Sequence, residues 1–134
     1  MAELSANRTA HLSLRVLFVD DEKPLQEFMR TELPRLGHEI TVCADGRAAM
    51  KALEKGTFDV LILDELTYPL TFGWLDTPAV LAAIAGRPKG THVVVTGRDA
   101  PAALIDAADL VTEMRVIKHP YRDRGLGAQA GIEL

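Results

Sequence analysis

Three short apolar runs, "RVLFVDD", "FDVLILDEL" and "HVVVTG", punctuate the chain, each rich in branched residues and each ending in polar ones. Runs of this length are strands rather than helices, and unbroken apolar character over four or five residues marks a strand buried on both faces. The intervening segments "KPLQEFMRTELPRLG" and "GRAAMKALEKG" carry apolar residues at helical spacing and finish on glycine, which reads as a stop signal. Leu25, Phe28, Met29 and Leu33 fall on one face of the first helix. Pro24 suits its first turn, and Pro34 should end or kink it at the last. The remaining pattern predicts strands over residues 39–43 and 110–118 and helices over residues 77–85 and 101–107. Strand and helix thus alternate five times. That predicts one doubly wound α/β domain of three layers with a five-stranded parallel sheet.

Composition narrows the reading without changing it. At 134 residues, 48% hydrophobic and 25% charged, the sequence fits a single domain over residues 1–134, with residues 1–14 as a polar amino-terminal arm. A net charge of −4 offers no basic stripe for a phosphate backbone, so no nucleic-acid partner is expected. No apolar run approaches the roughly 18 residues that cross a bilayer, so no membrane partner is expected either. The single cysteine, Cys43, lies in the alternating run "HEITVCAD" and reads as a buried strand thiol; with no disulfide to form, the cytoplasm is the expected compartment.

Ligands of open α/β sheets bind beyond the carboxyl ends of the strands. That edge would gather Asp20 and Asp21 after the first strand, Asp64 and Glu65 after the third, Thr96 after the fourth, and Lys118 and His119 after the fifth. Carboxylates converging at one place repel each other, and a hard divalent cation, Mg²⁺ with several waters, relieves that repulsion. Asp20, Asp21 and Asp64 are therefore the candidate metal ligands. The plainer alternative is that Asp20 or Asp21 caps the first helix and the others are solvated strand ends. Tyr68 and Trp74 flank the exit of the third strand, where they could cover the sheet or stack on a ligand. Arg98, in "TGRD", could meet an anion at the same edge or belong to a surface loop.

Residues 15–64, "RVLFVDDEKPLQEFMRTELPRLGHEITVCADGRAAMKALEKGTFDVLILD", resemble the receiver domain of two-component response regulators, particularly those attached to enhancer-binding transcription factors. The resemblance implies a flavodoxin-like fold, Mg²⁺ on Asp20 and Asp21, and Asp64 as acceptor of a phosphoryl group, assisted by Thr96 and Lys118. Beyond Asp64 the receiver pattern is broken: Pro69 and Gly73 each come one residue late, His119 separates Lys118 from Pro120, and Arg115 stands where an aromatic residue is expected.

Residues 63–134 resemble the carboxyl-terminal half of the P-loop ATP:corrinoid adenosyltransferases through "LDEL", "VVVTGR", "ADLVTEM", "KHPY" and "GIE", in that order. In that family the carboxylates matching Asp64 and Glu65 close the strand that faces the nucleotide triphosphate and its metal. No stretch of the sequence fits the glycine-rich phosphate loop G-x-x-x-x-G-K-[ST]. The two resemblances together suggest a chimera joined at the third strand, with a receiver-like half over residues 15–64 and an adenosyltransferase-like half over residues 65–134. The expectation that follows is an engineered fusion that is not an enzyme. A Mg²⁺-dependent phosphoacceptor with Asp64 as nucleophile is one alternative, and a residual nucleotide or corrinoid binder the other. The glycine-rich tail predicts that the final covering helix is missing, and an uncovered sheet face predicts a homodimer or a covering terminal arm.

Overall fold

The computed structural model describes residues 12–130. In chain order the elements are β1 (Arg15–Val19), α1 (Lys23–Arg35), β2 (Glu39–Cys43), α2 (Gly46–Lys55), β3 (Val60–Leu63), α3 (Thr67–Thr71), α4 (Thr77–Ala85), β4 (His92–Val95), α5 (Ala102–Ala107) and α6 (Pro120–Arg124). Their starts follow from local chemistry. Asp45 accepts the Ala48 N–H at 2.7 Å to open α2, and Asp76 accepts the Ala79 N–H at 3.0 Å to open α4. Proline occupies the first turn of α1, where a missing N–H costs nothing, and Pro34 lies in the last turn of that helix.

The strands form one parallel sheet in the order β2-β1-β3-β4. This is the doubly wound flavodoxin-like arrangement, in which the chain moves outward from β1 in both directions. β1 is central, and its sequence explains why: Val16, Leu17 and Phe18 are all buried although alternate side chains point to opposite faces. Leu17, with no exposed surface, anchors the packed cluster with Cys43 and Ala49, and Val19, Ala48, Ala52, Phe58 and Leu61 close around it. Burying Leu17 alone contributes about 2–3 kcal/mol. Cys43 is the buried strand thiol expected, and loss of solvent pushes its pKa up.

Four strands are seen among the described residues, not five. Residues 110–118 form no strand and are exposed, with Leu110, Val111, Met114, Val116 and Ile117 facing water. Their apolar positions do not keep a period of two, so no single face of an extended segment could be buried whole. The first helix also turns differently from expectation. Phe28 is 58% exposed while Gln26 is 7% exposed, because the inward stripe is centred on Leu25, Gln26, Met29 and Leu33 and the side-chain amide of Gln26 finds a partner, the Asp20 carbonyl, at 2.7 Å. Two helices were unforeseen. α3 is a single turn after β3, and α6 forms where a terminal helix was not expected, because His119 Nδ1 accepts the Tyr121 N–H at 3.2 Å and Gly125 closes the turn at φ 65°. Five residues do not amount to a covering helix. Most of the amino-terminal arm and the last four residues of the tail lie outside the described residues.

The amino-terminal edge of the sheet is held by one clamp. The Arg15 guanidinium donates to both oxygens of Asp59, at 2.8 and 3.1 Å, and to Thr57 at 2.6 Å, while the Arg15 N–H donates to Asp59 at 2.8 Å. These bonds to Arg15 lower the Asp59 carboxyl from 3.8 to about 2. A depressed carboxyl contributes stability that is full above its unfolded value and is lost as pH falls through its folded one. Asp59→Asn should therefore lower the melting temperature at neutral pH, and the gap between variant and parent should close as pH falls from 3.8 to about 2. Thermal denaturation across that range checks this; a gap independent of pH would mean that the pair contributes no charge-dependent stability.

Candidate functional site

Parallel register brings the site together. Val19 lies beside Leu63, and Leu63 beside Val95, so the next residue on each strand, Asp20, Asp64 and Thr96, stands at one level on three neighbouring strands. The ladder continues one step past the strands: the Asp64 N–H donates to the Val19 carbonyl and the Thr96 N–H to the Leu63 carbonyl, both at 3.3 Å. Thr96 then joins the last two through its side chain. Its hydroxyl donates to Asp64 Oδ1 and accepts the Glu65 N–H at 3.0 Å.

Asp20 is fastened from the helix side. Its Oδ1 accepts the Glu22 N–H at 2.6 Å, which turns the chain into α1. Its carboxyl pKa is raised, chiefly by loss of solvent and further by the neighbouring Asp64, while the Glu22 N–H opposes the rise. Neither Asp20 nor Asp21 caps α1, whose N-cap is Glu22 with no side-chain cap bond; one oxygen of Asp20 serves the turn before the helix, and the carboxylate still faces Asp64.

The other candidates are placed apart. Asp21 is exposed, and no group of three or more His, Cys, Asp or Glu side chains that could hold a metal exists among the described residues. Asp20 and Asp64 form a pair, which suits a Mg²⁺ that keeps waters and takes further oxygens from a substrate. Lys118 lies in the exposed stretch before α6, and no described bond joins it to Asp64. His119 serves as the amino-terminal cap of α6. Tyr68, Phe72 and Trp74 do not cover the sheet: they stack on one another at 6.0 and 5.4 Å in solvent, and Trp74 is 73% exposed.

Glu65, expected at this edge, is joined in the wall of the site by residues that the sequence did not single out, Asp99, Thr67, Thr71 and Gly97. Glu65 and Asp99, directly after β3 and in the loop after β4, hold left-handed backbone at φ 54° and 51°, a conformation that costs a side-chain-bearing residue about 1 kcal/mol or more. The Asp99 carbonyl accepts the Thr71 hydroxyl at 3.0 Å, tying the loop after β4 to α3. One turn earlier in α3, Thr67 is 2% exposed and packs against Gly97, whose φ of 143° few side chains tolerate. The glycine in "VTGRD" was the available signal, since a glycine directly after a strand often marks close approach of another backbone. A depression of about 540 Å³ opens at the opposite edge of the sheet, but its charged walls, Arg15 and Asp59, already satisfy each other.

A parallel sheet of this order with paired carboxylates at its carboxyl edge defines a doubly wound domain of the flavodoxin-like class. Among solved structures, the Francisella response regulator 1452 receiver domain shares that fold, with a TM-score of 0.53 and 24% identity over 71% of this chain and 75% of that one. By sequence, the family of ATP:corrinoid adenosyltransferases BtuR/CobO/CobP matches residues 6–134, and the chain belongs to that family. The corrinoid adenosyltransferase of Pseudomonas aeruginosa is 44% identical over 87 residues, which are 65% of this chain and 42% of that protein. Corrinoid adenosyltransferase CobA of Salmonella typhimurium is 36% identical over 97 residues, which are 67% of this chain and 49% of that protein. The chain thus spans less than half the length of these relatives.

Both resemblances read from the sequence are therefore found, one in the fold and one in the family. The inference drawn from them, an engineered fusion that is not an enzyme, is overturned. The family match takes in residues on both sides of the supposed junction at Asp64, and the family is one of enzymes.

The Gly97 contact gives a direct test of the wall. A Cβ at Gly97 would lie 1.8 Å from Thr67 Oγ1 and 2.9 Å from Thr67 Cβ. Gly97→Ala should destabilise the protein by about 1–3 kcal/mol through overpacking, beyond the cost of its backbone angle. Adding Thr67→Ala should return part of that loss in a double-mutant cycle. Equal losses with and without the Thr67 side chain would trace the whole effect to φ.

Proposed function

We propose that this chain serves adenosyl transfer from ATP to a corrinoid, with the carboxyl edge of the sheet holding the triphosphate end of the nucleotide. The match to the adenosyltransferase family across residues 6–134 carries this reading. The geometry supports it with the Asp20–Asp64 pair: loss of solvent, and to a lesser degree Asp64 beside it, disfavours the charged form of Asp20, and a cation would favour that form. Transfer of the adenosyl group breaks the bond between C5′ and its phosphate oxygen, so negative charge grows on the departing triphosphate. Asp20 and Asp64 would hold a hard divalent cation, which would offset part of that charge as a Lewis acid.

The residues of the chain divide the remaining tasks. Thr96 fixes the Asp64 carboxylate by donating to Oδ1, so the ligand geometry is set before nucleotide arrives. Glu65, held in a left-handed turn by Thr96, stands beside it as the second carboxylate of "LDEL". Arg98, exposed and two residues beyond Thr96, supplies positive charge for the phosphate oxygens in place of Lys118, which lies in another segment. Asp20 and Asp64, through a bound cation, and Arg98 would contribute to holding the triphosphate end.

Anaerobic incubation with Mg²⁺, ATP and chemically reduced corrinoid tests this, with adenosylated corrinoid measured chromatographically. Product should form and should disappear when Mg²⁺ is chelated. Asp64→Asn keeps an oxygen for the Thr96 hydroxyl yet removes the charge, and should cut the rate at least about tenfold. Absence of product at saturating ATP, or full activity of the Asn variant, would refute the assignment.

A further inference from the structure

Tyr68, Phe72 and Trp74 form an ordered column rather than a scatter of exposed rings. Phe72 lies between the other two, with ring centroids 6.0 Å from Tyr68 and 5.4 Å from Trp74 and planes inclined by 17° and 26°. The backbone is shaped to build it. Gly73 takes a left-handed φ of 69°, which reverses the chain after Phe72, and the Trp74 and Leu75 N–H groups then both donate to the Pro69 carbonyl, at 2.8 and 3.0 Å. The indole is thereby set on the end of the column, one face toward Phe72, while 73% of Trp74 remains in solvent. Ordering three rings costs conformational entropy, and rings left this exposed recover little of it by burial.

The column is fastened to the site. Thr96 bonds the Asp64 carboxylate, Gly97 follows Thr96, and Thr67 packs against Gly97 in the first turn of α3, the helix that carries Tyr68 and presents the Pro69 carbonyl. Thr71 ties the far end of the same helix to the Asp99 carbonyl at 3.0 Å. The open indole therefore stands at the end of a short, braced path that begins at the carboxylate pair.

We propose that the outer face of Trp74 stacks on the adenine base of the nucleotide whose triphosphate end is held at Asp20 and Asp64. The inference rests on the adenosyl-transfer reading and adds a second point of attachment for its nucleotide. A purine is flat, free of substituents on both faces and close to an indole in size, so it extends the column by one ring in the offset stacking that aromatic pairs prefer. A corrin is wider, and its axial ligands and rim side chains stand off its plane and keep an aromatic ring away. Because the column is already assembled, little further ordering opposes the stack.

Trp74 is the only tryptophan in the sequence, so its fluorescence reports the subsite directly. Titration of the full chain with adenosine, which has the base but no phosphate, should quench that emission saturably, and inorganic tripolyphosphate should not. In the adenosylation assay Trp74→Ala should raise the KM for ATP at least about fivefold and leave the KM for the corrinoid unchanged, and Trp74→Phe should recover most of the loss. Circular dichroism should be unchanged in both variants, since the side chain lies largely in solvent. Adenosine binding needs no turnover, so calorimetry with adenosine on the parent and on Trp74→Ala decides the stack even if no adenosylated product forms. Absence of saturable quenching by adenosine, equal adenosine affinity of parent and Trp74→Ala, a rise in the corrinoid KM in place of the ATP KM, or a Trp74→Phe variant no better than Trp74→Ala would each overturn the proposal.

Discussion

The site depends on the parallel register of β1, β3 and β4. Because Val19, Leu63 and Val95 are level, whatever follows them must be level too, and two of the three following residues are aspartates. Packing at Leu17 fixes β1 between its neighbours, and that apolar constraint forces the polar proximity. The cost is visible in Asp20, whose charged form is disfavoured by lost solvent and by Asp64. Thr96 steadies the arrangement without neutralising it. A one-residue slip of β3 would move Asp64 away from Asp20 and expose Leu61, which packs against the core, so stability of the core and integrity of the site are one property.

Strain is concentrated at the same edge. The left-handed residues Glu65 and Asp99 and the close approach of Gly97 to Thr67 all lie just past β3 or β4. The Thr67 hydroxyl is buried there with no hydrogen-bond partner among the described residues, a further local cost. Such costs persist where the surrounding structure over-determines them, and here β3, β4 and the α3 contacts do so. Fold and family point in different directions at this edge. The receiver-like sheet explains where the carboxylates sit, whereas the adenosyltransferase sub-motifs explain which loops surround them. Fold likeness alone confers no activity, so the family match is what orients the functional reading.

Much of the architecture was legible in the sequence. Helix 77–85 and strand 39–43 appear with the bounds their patterns predicted, because Asp76 with Pro78 and an alternating run ending at Cys43 are strong local signals. The rule that polar residues at parallel strand ends converge placed Asp20, Asp64 and Thr96 together. What it could not supply was the fate of residues 110–118, whose apolar positions satisfy a strand propensity without a period, and whose pairing depends on a partner strand rather than on themselves. Lys118 was carried to the site by that expected strand and left it when the strand did not form. Thr67 and Thr71 were illegible because α3 is a single turn with no periodicity to detect, and its role emerges only from contacts with residues about thirty positions away.

The central claim is that Asp20 and Asp64 share one cation-ready edge of the sheet. Carboxyl ¹³C titration of the full chain by NMR, with and without Mg²⁺, measures it directly. The account predicts that Asp20 titrates above its ordinary value of 3.8 in metal-free protein, and that added Mg²⁺ draws its midpoint downward while shifting the Asp64 resonance. An Asp20 carboxyl that titrates at its ordinary value and does not respond to Mg²⁺ would contradict it.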